Sequence, residues 1–166
     1  MINPIHKLAL VVAACALVFS TLTVAQAAPT SAPDKTLMQK IWTAWSTRNP
    51  DNAAPFYSHE NTSVFYPLAP MKVVGWNAYA SEVRKLMSEY SSVDVRVGDD
   101  AEVQSGLTFA YGTATLHATQ VFTDGRRETR DSRWTVVWEK RGEKWLVVHE
   151  HVSAPLPGRL EKQSGQ

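Results

Sequence analysis

The residues with the most chemistry in this chain stand close together near its end. The run Trp145-Leu146-Val147-Val148-His149-Glu150-His151-Val152-Ser153 sets a carboxylate between two imidazoles in a stretch otherwise made of valine, leucine and tryptophan. In a strand, alternate side chains share a face. Leu146, Val148, Glu150 and Val152 are therefore expected on one side, and Trp145, Val147, His149, His151 and Ser153 on the other. Desolvation disfavours an ionised carboxylate among such neighbours, moving Glu150 toward the pKa range of a general acid or base. The same burial demands a partner, so a structural Glu150 bonded to an arginine, a tryptophan or a tyrosine is the competing reading.

His117 is the second candidate, able to relay a proton or orient a polar group, with a satisfied cavity-edge histidine as the plainer alternative. Strands lie about 4.8 Å apart, so His117 and Glu150, expected two strands apart on one face, fit two ends of one small ligand better than a direct pair. Trp45, Tyr66, Tyr111, Trp134, Val136 and Val152 are the expected walls of an apolar pocket, since ligand sites combine aromatic walls with a few polar groups. His149 and His151 share a face as metal ligands would, but zinc takes three or four ligands and no second cluster sits nearby. No metal site is expected. A nucleophile elbow, a phosphate loop, a Cys–His pair and a dinucleotide fingerprint are all missing from the sequence, so no cofactor is expected either.

Positioning these groups requires a sheet. Arg133 to Trp138 and Trp145 to Val152 are β-branched and aromatic runs separated by Arg141-Gly142-Glu143-Lys144, the pattern of an antiparallel hairpin. A three-residue loop containing Gly142 pairs Trp138 with Leu146, Val136 with Val148 and Trp134 with Glu150. Asp124-Gly125 reads as a two-residue hairpin turn. It pairs Thr115 with Trp134 and sets Tyr111, Thr113, Thr115 and His117 on the face of Trp134 and Val136. Leu107 to Phe122 is long enough for a bent strand, with Gly98-Asp99-Asp100 and Ser105-Gly106 as turns or a bulge before it. Val93, Val95 and Val97 alternate with polar residues as another strand, and Thr62 to Tyr66 reads as the first.

Helices precede the long strands. Leu37, Met38, Ile41, Trp42 and Trp45 form an apolar stripe that starts at Asp34 and stops at Asn49-Pro50, where a short helical turn follows. Gly75 opens a second long helix with Trp76, Tyr79, Ala80, Val83, Leu86, Met87 and Tyr90 on one face.

The chain of 166 residues suffices for one domain, expected over residues 35–156, with 28–34 a linker and 157–166 a flexible tail. Residues 1–27 carry Lys7, an apolar run from Leu8 to Ala25 and a small-residue site at Ala25-Gln26-Ala27, the pattern of a cleaved secretory signal peptide. An uncleaved membrane anchor is the alternative. Cys15 follows Val12-Ala13-Ala14 as in a bacterial lipobox, although the apolar residues beyond it argue against lipidation. Cleavage predicts a secreted or periplasmic protein with no stable membrane association. It removes one lysine and no acid, so 17 Lys and Arg against 16 Asp and Glu become equal numbers, which gives no electrostatic ground for a nucleic-acid partner. The single cysteine lies in this segment, so no disulfide is expected in the mature domain.

Helix, short helix, strand, helix and a meander of long strands resembles the nuclear transport factor 2-like fold. The ending Trp145 to Pro155 resembles SnoaL-like and ketosteroid-isomerase-like proteins. It is similar also to the association domain of calcium/calmodulin-dependent protein kinase II, through its Trp, His-x-His and Ser spacing. The resemblance implies an α+β fold in which a strongly bent antiparallel sheet forms a cone around two to three N-terminal helices, enclosing a pocket, in a protein that is usually a homodimer. It places His117, Val136 and Val152 where the kinase domain has pocket arginines, which implies a pocket that does not grip a carboxylate as the kinase domain does, and it places His149 and His151 on the convex face near a dimer contact. Three functions are compatible. The first is an exported domain binding a small apolar molecule. The others are a cofactor-independent isomerase or cyclase in which Glu150 moves a proton, and a non-catalytic dimerisation module using Arg133, His149 and His151. Fold alone does not choose among them.

Overall fold

The computed structural model describes residues 31–67 and 70–154. The expected signal segment, residues 28–30 of the linker and the expected tail lie outside the described residues.

Helix α1 (Lys35–Ser46) begins where Asp34 accepts a hydrogen bond from the Leu37 amide at 2.7 Å, satisfying one of the donors that a helix start leaves open. Leu37, Met38, Ile41 and Trp45 form its buried stripe. Asn49 caps α2 (Pro50–Ala53), whose proline sits where no amide is needed, and a 3-10 turn (Ala54–Phe56) leads to Tyr57. Helix α3 (Trp76–Met87) follows Gly75, whose φ of +81° suits glycine, and it buries Trp76, Tyr79, Ala80 and Val83.

The strands are β1 (Val64–Tyr66), β2 (Val73–Val74), β3 (Tyr90–Val97), β4 (Glu102–Ser105), β5 (Phe109–Phe122), β6 (Arg127–Arg141) and β7 (Lys144–Ser153). They form one sheet in the order β2-β1-β7-β6-β5-β3, antiparallel except where β1 runs parallel to β7. β5 is long enough to take two partners along one edge, β4 on Ala110–Thr113 and β3 on Leu116–Phe122. The helices cover the face that buries Val93, Val95, Val97, Ala110, Ala114, Leu116, Trp134, Val136 and Trp138. This is the expected α+β architecture, an open curled sheet around N-terminal helices, with β2 and β4 as short strands that the sequence pattern does not announce.

The expected registers need correction. The two hairpin loops have exchanged lengths: Arg141 pairs with Lys144 across the two-residue loop Gly142-Glu143, while Thr123-Asp124-Gly125 is a three-residue loop closed by the Phe122 amide on the Arg126 carbonyl at 2.8 Å. Gly125 at φ +88° is the left-handed residue that such three-residue loops use. Its extra residue moves β5 by one position against β6, so Ala114 rather than Thr115 lies opposite Trp134. A one-residue slip exchanges the faces of a strand. Ala110, Gly112, Ala114 and Leu116 therefore point inward, and Tyr111, Thr113, Thr115 and His117 outward.

In β7 the pairing shifts between Val137 and Trp138, where Val147 faces Trp138 but His149 faces Val137. This bulge changes the inward parity within one strand. Trp145 and Val147 are buried before it and Glu150 after it, whereas Leu146 and Val148, expected on the apolar face, are only half-buried.

Gly112 sits opposite Val136 on the inward face. A Cβ there would lie 3.0 and 3.1 Å from the ring of Trp138, which has no exposed surface into which to move. Gly112→Ala is expected to cost about 1–2 kcal/mol by overpacking, read as a lower urea midpoint with unchanged slope.

Candidate functional site

The bulge that reverses parity in β7 delivers Glu150 to the interior with no exposed surface. Three donors from three different elements meet its carboxylate. The Tyr57 hydroxyl, just beyond the 3-10 turn, donates to Oε2 at 2.9 Å, and the Trp134 indole N–H of β6 donates to the same oxygen at 2.9 Å. The Tyr79 hydroxyl of α3 donates to Oε1. Behind them, the Trp45 indole of α1 donates to the Tyr57 oxygen at 2.8 Å. No cation pairs with Glu150 among the described residues.

Electrostatics follow from that enclosure. Burial raises the Glu150 pKa, and its three hydrogen bonds oppose the rise without cancelling it. Burial first, and then the charge of Glu150, push both Tyr57 and Tyr79 well above the usual phenol range, so both hydroxyls stay protonated and act as donors. Glu150 thus ties α1, the 3-10 turn, α3 and the sheet to one point.

Next to this cluster lies a cavity of about 120 Å3 between the helices and the sheet. Its inner walls are Trp42 and Trp45 of α1, Tyr79, Val83 and Leu86 of α3, and Val93, Val95, Leu116 and Val152 of the sheet. Gln120 of β5 and Arg130 and Ser132 of β6 also line it, Arg130 exposed and the other two half-buried. A space of that order accepts a single small ring: an apolar cavity of about 150 Å3 holds benzene. Glu150 does not line it, but Tyr79 does, and Tyr79 touches Glu150.

The candidates from sequence separate into three groups. Trp45 and Val152 line the cavity. Trp134 and Val136 are buried with Glu150, Trp134 as a hydrogen-bond donor and Val136 as its cross-strand neighbour. His117, Tyr66 and Tyr111 are on the other face of the sheet, which corrects the expectation that they share a wall with Glu150. His117 pairs with Asp131 at 2.8 Å, Tyr66 lies against His149 and His151, and Tyr111 is 52% exposed. The cause for His117 and Tyr111 is the three-residue loop at Asp124-Gly125. His149 Nδ1 donates to the Val64 carbonyl, 2.8 Å away, on the β1 edge. Among the described residues no group of three or more His, Cys, Asp or Glu side chains is placed to hold a metal ion, and no helix is long and apolar enough to cross a membrane.

Sequence reasoning missed Arg130, Ser132 and Gln120. The alternation Arg130, Ser132, Trp134, Val136, Trp138 is legible as one face of a strand. It draws no notice because the tryptophans and valines alone define the apolar run.

Comparison with known proteins adds the family. The sequence pattern of the SnoaL-like domain matches residues 35–157. No curated protein matches. Among solved structures the chain is similar to a nuclear transport factor 2-like superfamily protein from Salmonella enterica serovar Typhimurium, at 18% identity and a TM-score of 0.66, over 75% of this chain and 92% of that one. It is similar also to a candidate scytalone dehydratase from Novosphingobium aromaticivorans, at 12% identity and a TM-score of 0.64, over 75% and 91%. The association domain of calcium/calmodulin-dependent protein kinase II from C. elegans gives 17% identity and a TM-score of 0.56, over 72% and 91%. At these identities the likeness shows the fold.

Proposed function

Since the chain belongs to the SnoaL-like family, we propose that it binds a small, largely apolar molecule in the cavity between its helices and its sheet. The observation that carries this reading is the cavity itself, walled mainly by tryptophan, tyrosine, valine and leucine, with Arg130 as its one charged lining residue. Glu150 then serves as the anchor that keeps Tyr79 and Trp45, two of the walls, in place. Titration of the 15N-labelled protein with toluene and with indole tests it. Amide shifts confined to α1, α3 and the cavity-facing positions of β3, β5, β6 and β7 are expected. An unchanged spectrum at millimolar ligand rejects the reading.

A second reading has one specific support: Tyr79 both lines the cavity and hydrogen-bonds Glu150. A carboxylate could then exchange a proton with a bound substrate through that hydroxyl, as an isomerase, cyclase or dehydratase would require. Weighing against it, the donors on the carboxylate leave it no open approach, and Tyr79 is a poor base. If a ligand retained through purification is turned over, Tyr79→Phe is expected to abolish turnover under this reading while affinity stays within about tenfold.

We also propose export, on the strength of Lys7, the apolar run and Ala25-Gln26-Ala27. An intact mass that begins at Ala28 supports it. Self-association through the outer face of the sheet is part of the same proposal, because Phe109 and Tyr111 stand exposed there at 53% and 52%. Sedimentation equilibrium reads it directly.

A further inference from the structure

The mouth of the cavity differs from its walls. On the inward face of β6, Arg130 and Ser132 follow one another toward Trp134, and Gln120 projects from the same face of β5. Arg130 lies opposite Ala118, a side chain too small to cover it. The nearest acid along its own face, Glu128, is already held by Arg126, which also reaches Asp124 and stacks on the Phe122 ring at 3.7 Å. The ion pairs among the described residues thus leave Arg130 uncommitted. Burial raises the pKa of the Tyr90 hydroxyl, and the charge of Arg130 opposes that rise, which sets Arg130 close to another residue of the cavity.

From this arrangement we propose that the ligand is an amphipathic acid, a single ring or short branched chain in the cavity carrying a carboxylate that Arg130 grips at the mouth beside Ser132. This rests on the cavity reading above. The physical grounds are complementary. Arg130 is the one charged residue of the lining, whose other polar residues are neutral: Trp42, Tyr79 with its hydroxyl already engaged, Tyr90, Gln120 and Ser132. A charged head therefore cannot enter the interior without losing its hydration. A guanidinium presents a planar fork of donors that matches a carboxylate, and it stays charged at any physiological pH. Glu89 and Glu128 oppose Arg126 and Arg130 in their effect on the Tyr90 hydroxyl, so acids and bases are interspersed around it. Selectivity for an anion therefore depends on the free donors of Arg130 and not on a general positive field.

The test uses 3-phenylpropionate and its neutral amide, 3-phenylpropanamide, titrated into the wild-type chain, Arg130→Met and Val83→Trp, with amide shifts as the readout. Methionine keeps the apolar stem that arginine lays along the surface and removes the charge. The wild type is expected to bind the acid about three- to tenfold tighter than the amide, a modest preference because Arg130 is exposed, and one that shrinks with added salt. Arg130→Met is expected to bind both equally. Equal binding in the wild type, or a preference that survives in Arg130→Met, overturns the assignment of the head group while leaving the cavity reading to its own test. Acid binding that persists when Val83→Trp fills the cavity overturns both readings. Failure of both probes to bind at millimolar concentration overturns both.

Discussion

Glu150→Leu is expected to destabilise the fold by about 3–5 kcal/mol, the loss seen when one member of a buried polar network is removed. Leucine is of similar bulk, so little of this loss comes from an empty space. It comes from the Tyr57 and Tyr79 hydroxyls and the Trp134 indole N–H, all of which are left without an acceptor in a region that water does not reach. The Trp45 indole loses support one step later, because the Tyr57 oxygen it donates to is no longer fixed. Glu150→Gln keeps one carbonyl acceptor and is expected to be milder, about 1–2 kcal/mol. Chemical denaturation at neutral pH gives both values. A loss below about 1 kcal/mol for leucine would mean that the three donors find other partners.

The glutamine variant also separates charge from hydrogen bonding. Burial holds the folded-state pKa of Glu150 above its unfolded value, so the folded protein binds this proton more tightly than the unfolded chain. The stability it contributes is therefore fully present below the unfolded carboxyl range and declines as pH rises through the folded value. An amide in its place does not titrate. The stability gap between the wild type and Glu150→Gln should accordingly widen as pH falls and narrow toward neutrality, the reverse of the usual behaviour of paired carboxylates. A gap that widens with rising pH would show that the three donors outweigh desolvation.

The fold is legible in the sequence where local signals are redundant. The helices were legible because each had a stripe, a start and a stop: Asp34 and Asn49 cap where the apolar period begins, and Gly75 precedes α3. The long strands were legible from alternation alone. Register was not, because loop length is decided by backbone geometry that Asp-Gly and Gly-Glu do not encode uniquely, and each one-residue error exchanges inward and outward faces. On β5 the error was decisive, carrying His117 and Tyr111 to a wall they do not occupy. On β7 the bulge at Val147–His149 intervened. The strand starts with odd-numbered residues buried and ends with Glu150 and Val152 on the inward side, so the simple alternation reading placed Glu150 inward while misplacing Trp145 and Val147. The partners of Glu150 are out of reach for a further reason. Tyr57, Tyr79 and Trp134 are separated from it by 93, 71 and 16 residues, and only the closure of helices on the sheet brings them together.

The largest effect on binding is expected from Val83→Trp. Val83 is buried on α3, within the wall of the cavity and one turn from Tyr79, with Leu86 and Met87 beyond it. An indole there has open space in front of it, unlike a Cβ at Gly112, which meets the Trp138 ring at once. Filling apolar space adds contacts and removes a void, so stability should hold or rise by about 0.5–2 kcal/mol. The ligand loses the same space. Affinity for toluene or indole is expected to fall more than about a hundredfold, some 2.7 kcal/mol, because a ring cannot be accommodated by the mouth alone. The pairing of the two measurements is what makes the variant decisive. Retained melting temperature with lost amide shifts assigns binding to the cavity, whereas retained shifts in a stable Val83→Trp protein would move the ligand to the outer face of the sheet, where Phe109 and Tyr111 offer the alternative apolar surface.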